Sequence, residues 1–250
     1  MKLISSEQNP IFGELKKLLT SKGIHKQNKF LLWGEKFVAE ILRDSPESVD
    51  TLILGPDHEV FSGAPSTLEL SSDLFTELDI FGTKTPFLVC RVPALNEMKP
   101  CAPVGLELLV AVSEPSNLGT IIRSAASFGV KKIILLKESA SPFHPRAVRS
   151  SAGSVLKMQY EIGPSIEDLS PKLLEQSLAL DMKGENLSGF KWPKNSFLLV
   201  GEEGRGIPKN MKIRKIQIQT EPNIESLNAA TAISIAMYSY YSQCSNLRSI

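Results

Sequence analysis

The chain has 250 residues, of which 42% are hydrophobic, and a formal net charge of +1. That is enough for one large domain or two small ones, each with its own core, and a near-neutral total excludes any global attraction to nucleic acid, so a basic surface has to be local. Three cysteines (Cys90, Cys101, Cys244) with no CxxC pair, and only three histidines, offer no zinc-ligand cluster and suit a reducing compartment. The opening MKLISSEQNPIF has no apolar h-region, which predicts no signal peptide. No apolar run approaches the ~18 residues of a membrane span. The expectation is a cytoplasmic globular protein with no metal and no membrane.

In chain order, NPIFGELKKLLTSKG reads as a helix with Ile11, Leu15, Leu18 and Leu19 on one face. KFLLWG reads as a strand, EKFVAEILRD as a helix, VDTLILG as a strand, and SSDLFTELD as a short helix capped by Ser71 or Ser72. TPFLVCRV closes the region as a strand. Residues 1–95 then form a small α/β domain. Residues 96–104 form a Pro-rich linker, part of a stretch carrying Pro93, Pro100 and Pro103. From 105 to 250 the pattern is cleaner. LELLVAV is an apolar run expected of a strand buried on both faces. A helix follows, then the strand KIILL and the short helix HPRAVRSSAG, ending at Gly153. LKMQYEI, SLALD, NSFLLVG and IQIQ are strands, SPKLLEQ a helix, and ESLNAATAISIAMYSYYSQC the last helix. Alternating strands and helices predict an α/β fold with a parallel sheet.

Ligands of such sheets bind at the carboxyl ends of the strands. Three loops there are polar or glycine-rich and lead toward helices: SEPSNLG, GEEGRGIP and TEPNIESLN. None supplies the G-x-G-x-x-G of a dinucleotide site or the G-K-[ST] of a phosphate-binding loop. Taken alone, the glycines of GEEGRG suit a tight surface turn and Asn117 suits a helix cap. Neither explains Arg123, a permanent cation within the apolar pattern Ile121, Ile122, Ala125, Ala126 and Phe128.

The order N-x-G-x-x-x-R (Asn117, Gly119, Arg123), then G-x-E-G-x-G (Gly201, Glu203, Gly204, Gly206), then E-S-L-N (Glu225, Ser226, Leu227, Asn228, with Ile218 before it) resembles the three motifs of the SpoU (TrmH-type) RNA 2′-O-ribose methyltransferases of the SPOUT superfamily. VRSSAGSV resembles a segment common between the first two motifs. The resemblance covers nearly the whole chain, and is looser before residue 100. Two positions depart from it: Gln219 stands where proline is usual and Pro222 where glycine is usual.

The resemblance implies a deep trefoil knot in the C-terminal SPOUT-type domain. It implies a front domain similar to certain ribosomal proteins that binds the RNA substrate, and a homodimer whose interface helps form the active site. It implies S-adenosylmethionine as methyl donor, held by Gly201, Gly206, Ile218 and Leu227. The residues implied in catalysis are Arg123, Asn117, Glu203, Ser226 and Asn228. Arginine hardly deprotonates in proteins, so Arg123 is assigned electrostatic activation and phosphate anchoring rather than proton removal. Ribosomal RNA is the favoured substrate. The alternatives are transfer RNA, or a homologue that binds RNA without catalysis. Lys16, Lys17, Lys22, Lys26 and Lys29, then Arg146 and Arg149, then Lys209, Lys212, Arg214 and Lys215 are local basic clusters suited to phosphate. Trp33, Trp192, Tyr238, Tyr240 and Tyr241 suit either base stacking or a core and dimer role, and His144 reads as a loop residue.

Overall fold

The computed structural model describes every residue except Met1, Val60, Glu203, Pro222, 224–226 and 246–250, together with the side chain of Ser245. The chain divides into two compact units. One comprises Met1–Ala94 and Ser141–Gly153, the other Leu95–Ala140 and Ser154–Ile250.

The first unit opens with β1 (Lys2–Ile4), α1 (Pro10–Lys17), α2 (Ser21–Gln27), β2 (Lys29–Trp33) and α3 (Glu35–Asp44). It continues with β3 (Val49–Leu54), β4 (Thr67–Leu70), α4 (Ser72–Leu78) and β5 (Phe87–Arg91). The sheet order is β1-β4-β3-β5-β2, with β5 antiparallel to both neighbours. Where one helix was expected over residues 9–23 there are two. The Thr20 hydroxyl accepts from the Gly23 amide at 3.2 Å and starts α2. Gly23 permits the tight approach, since a Cβ there would lie 2.5 Å from the Lys17 carbonyl carbon. Asn28, at φ 53°, ends α2 in the left-handed region. Ser71 occupies the cap position of α4 without a side-chain bond. Trp33 is 2% exposed and donates its indole N–H to the Leu78 carbonyl, so it belongs to the core with Phe75 and Phe87.

The second unit begins with β6 (Asn96–Glu97), inside the segment expected as linker. Then come β7 (Leu106–Val110), α5 (Pro115–Ser127) and β8 (Lys132–Leu135). Next the chain makes its excursion into the first unit, carrying α6 (Pro145–Ser151), and returns through β9 (Tyr160–Ile162) and α7 (Pro171–Leu174). It ends with β10 (Ser177–Asn186), β11 (Ser196–Val200), β12 (Arg214–Gln217) and α8 (Ala229–Ser245). The seven strands are parallel throughout, in the order β12-β10-β11-β7-β8-β9-β6. The all-buried β7 and β11 are the centre of this sheet, as their near-continuous apolar sequence predicts.

The excursion departs from the expected continuous domain over 105–250. Phe143 packs on Phe30 of β2 with ring centroids 5.0 Å apart, and Arg149 stacks on Phe81 at 5.7 Å. His144 is the N-cap of α6: its Nδ1 accepts from the Arg146 amide.

One residue breaks the apolar pattern of β7. Glu107 is 3% exposed. Its Oε1 accepts from the Val104 amide at 3.1 Å, and its Oε2 lies 3.5 Å from Lys132 Nζ, which also reaches Glu161 at 3.0 Å. A buried carboxylate is tolerable only with such a cation beside it. Lys132→Met is therefore expected to cost about 3–5 kcal/mol at neutral pH. Denaturant unfolding at pH 7, read as the loss of unfolding free energy relative to the wild type, checks this.

Candidate active site

The carboxyl ends of β10, β11 and β12 open onto a cleft of roughly 1120 Å³. Gly201, Gly206, Ile218, Leu227 and Asn228 all line it. The four residues expected to hold the cofactor thus meet in one cavity, with one of those expected in catalysis. Val200 and Ile207 add apolar surface. The glycine loop after β11 folds back on itself: the Gly206 amide donates to the Glu202 carbonyl at 2.8 Å, and Gly204 and Gly206 have φ of +88° and +68°. A Cβ on Gly201 would lie 2.5 Å from the Gly206 carbonyl carbon. Glycine at 201 is therefore required first by the loop's own backbone, and a bulky substitution there reports on the loop before any ligand.

The wall toward α8 is built by an amide with two duties. Asn228 caps α8, its Oδ1 accepting from the Ala230 and Thr231 amides at 2.9 and 3.2 Å. Its Nδ2 donates to Asn117 Oδ1 at 3.1 Å. This joins the first and third motifs directly. Asn117 itself is no cap, because α5 starts earlier, at Pro115, with Glu114 accepting from the Ser116 amide. Further along the same helix face, Ser124 bonds Ser234 of α8 at 2.7 Å, and Phe128 meets Tyr238 and Tyr241.

Arg123 is elsewhere. With Thr120 and Ser127 it lies on the exposed side of α5, away from the face that meets α8, and it does not line the cleft. It has no ion pair among the described residues. A buried structural arginine is thereby ruled out by position. Glu203, Glu225 and Ser226 lie outside the described residues.

Two of the expected phosphate contacts are committed to the sheet. Arg214 makes a bidentate pair with Glu185 at 2.7 and 2.9 Å and stacks on Phe190 at 4.9 Å. Lys215 binds Asp181 at 2.6 Å. Lys209 and Lys212 stay exposed. In the front cluster Lys16 pairs with Glu77, Lys17 with Glu14 and Lys29 with Asp50, while Lys22 and Lys26 are exposed. Trp192 and Tyr240 are buried against each other, whereas Tyr238 and Tyr241 are 58% and 43% exposed.

Sequence reasoning passed over Asp181, which lines the cleft beside Lys215. Its signal was the polar break ending the apolar run of SLALD, at the carboxyl end of a strand. Partial burial pushes the Asp181 carboxyl up. The Lys215 ammonium and the Lys183 amide outweigh that and hold it below the ordinary aspartate value. Gln219, the departure from proline, accepts from Asn186 Nδ2 at 2.9 Å and so ties the exit of β12 to the end of β10.

Residues 107–238, more than half of the chain, match the model of the SpoU rRNA Methylase family. A "Ribosomal RNA small subunit methyltransferase G 2" of Syntrophobacter fumaroxidans is 41% identical over 95% of this chain; the chain spans only 48% of that relative. The "23S rRNA (guanosine(2553)-2′-O)-methyltransferase RlmP" of Bacillus subtilis is 28% identical over 95% of this chain and 98% of its own length. An AdoMet-bound rRNA methyltransferase structure from Sinorhizobium meliloti superposes with a TM-score of 0.80 at 24% identity, over 96% of this chain and 97% of that one, a likeness of fold. The motifs joined at the cleft and the match across them lead to one conclusion: the chain belongs to the SpoU rRNA methylase family.

Proposed function

We propose that the chain is an S-adenosylmethionine-dependent RNA methyltransferase that methylates a ribose 2′-hydroxyl in ribosomal RNA. The observation that carries this is the cleft, where the residues of the second and third motifs converge and Asn228 ties them to Asn117 of the first. The name of the Bacillus subtilis relative, matched along nearly its whole length, supports the reaction and the RNA class. A cytoplasmic location goes with that substrate.

The cleft suits the donor. Its apolar side chains, Ile218 and Leu227 among them, offer surface for a flat purine, and its glycine loop offers backbone close to a ligand. When bound, S-adenosylmethionine supplies an electrophilic methyl group on a positively charged sulfur. The chain's own residues then have to place the ribose oxygen in line with that group and ease the loss of its proton. Asn117 and Asn228, already oriented by their mutual bond and by the α8 cap, present amide groups for ribose or donor. Arg123 supplies positive charge to the developing alkoxide or the adjacent phosphate. In this reading Glu203 orients the arginine or a donor group, and Ser226 supplies a hydrogen-bonding hydroxyl.

The position of Arg123 supports a homodimer that shares its sites. An exposed arginine outside the cleft of its own chain is available to the cleft of a second copy. Ile235, Tyr238 and Tyr241 of α8 are exposed apolar or aromatic groups on the same terminal helix, as an interface requires. The reading also includes the deep trefoil knot of the C-terminal domain. It treats the front unit, residues 1–94 with 141–153, as the part that binds RNA.

Incubating the full chain with ribosomal RNA and methyl-labelled S-adenosylmethionine, followed by alkaline hydrolysis, is expected to leave label in alkali-resistant dinucleotides. Label on bases, or label in transfer RNA alone, overturns the assignment. Arg123→Ala should leave thermal unfolding unchanged and lower single-turnover methylation by ~100-fold or more. Arg123→Lys should not restore it, since an ammonium lacks the planar fork of the guanidinium. Light scattering at micromolar concentration should give the mass of a dimer, and an active monomer defeats the shared-site reading.

A further inference from the structure

The cleft contains one close ion pair among the described residues, and nothing in the reaction so far uses it. Asp181 Oδ2 lies 2.6 Å from Lys215 Nζ, with the two side chains 22% and 29% exposed. Glu202 and Arg205 also line the cleft but sit 3.8 Å apart, with Arg205 84% exposed. The rest of the described wall mixes glycine and aliphatic residues with two further cations, Lys183 and Lys209, and polar groups such as Gln217, Thr220 and Asn228.

The pair is fixed by its place in the sheet. β10 runs beside β12 until Leu180 opposes Ile216. The register then shifts, so that Glu185 opposes Ile216 as well. Residues 181–184 are thrown out as an arch between those two points. The foot of the arch is pressed onto β12, where a Cβ on Gly184 would lie 2.6 Å from the Lys215 carbonyl carbon. The bidentate Arg214–Glu185 pair closes the far side. Asp181 and Lys215 are thus held together before any ligand arrives, and little ordering remains to be done on binding.

Their unused capacity is complementary. Asp181 Oδ1 accepts the Lys183 amide at 3.1 Å and Oδ2 accepts Lys215, which leaves acceptor sites on both oxygens. The Lys215 ammonium gives one proton to Asp181 and keeps two. An acceptor and a donor of opposite charge, side by side in a partly dry cleft, match a ligand that carries both charges close together. A lone anion or a lone cation would meet one attractive and one repulsive partner.

Building on the methyl-donor reading, we propose that Asp181 and Lys215 form the subsite for the aminocarboxylate of S-adenosylmethionine. The carboxylate receives the α-ammonium and the lysine receives the α-carboxylate. The four charges then alternate in sign, which offsets the desolvation that an isolated charge would suffer. The pair thereby orients the donor in the cleft, its zwitterionic end toward the arch and its nucleoside on the glycine and aliphatic wall.

The test compares S-adenosylhomocysteine with 5′-methylthioadenosine, which keeps the nucleoside and thioether and lacks the aminocarboxylate, by calorimetric titration of the full chain. The wild type should prefer S-adenosylhomocysteine. Asp181→Asn and Lys215→Met should each weaken it by ~10-fold or more, the scale of a charged hydrogen bond, and leave methylthioadenosine within ~2-fold. Equal losses for both ligands in folded variants mean a merely structural pair and overturn the proposal, as does unchanged affinity for S-adenosylhomocysteine. Asp181→Glu keeps the ion pair across β10 and β12 while displacing the carboxylate by one methylene. It should lose part of the preference, and an undiminished preference there also overturns the proposal. Failure of the wild type to bind S-adenosylmethionine or either analogue is a different result: it removes the methyl-donor reading, and this subsite with it.

Discussion

Parallel pairing constrains everything at the site. When every strand of a sheet runs the same way, every carboxyl end lies on one side, and the loops leaving neighbouring strands become neighbours whatever their separation in sequence. The order β12-β10-β11-β7 therefore sets the exits of the three motif-bearing strands along one rim, with β10 between two of them. The cleft follows from strand order before any side chain is chosen. The side chains decide only what it holds.

Within that frame, single groups carry more than one task. The Asn228 amide uses its oxygen to end α8 and its nitrogen to hold Asn117. An aspartate would serve the first task and fail the second, and a serine would reach only one. Lys215 belongs to an edge strand and to the cleft at once. Gly201 satisfies a backbone crossing inside its own loop and lines the cleft as well.

Much of this was legible in the sequence, for local reasons. LELLV and SFLLV are mostly apolar without regular alternation, so burial on both faces, and with it a parallel sheet, could be read from a few residues. The glycine spacing around Gly204 and Gly206 announced a folded-back turn. What escaped depended on partners distant in the chain. β1, β4 and β6 are two to four residues long and exist because a neighbour pairs with them. The arch at 181–184 arises from register with β12 and leaves no periodic trace. Arg214 and Lys215 read as free cations because Glu185 and Asp181 come beside them only through that pairing. At Arg123 the motif gave the residue type, but its exposed position on α5 is a matter of which helix face meets α8.

The excursion of residues 141–153 has a consequence for biosynthesis. A chain emerging from the ribosome from its amino terminus can fold a front domain as soon as its residues are out. Here the first unit is still incomplete when Arg91 ends its sheet, since Phe30 of the edge strand β2 waits for Phe143. That strand stays without its cover while β6, β7, α5 and β8 are being translated, and open edge strands invite pairing with other chains. Completion of the first unit is thus timed to the arrival of the segment that already belongs, by sequence, to the second half of the protein.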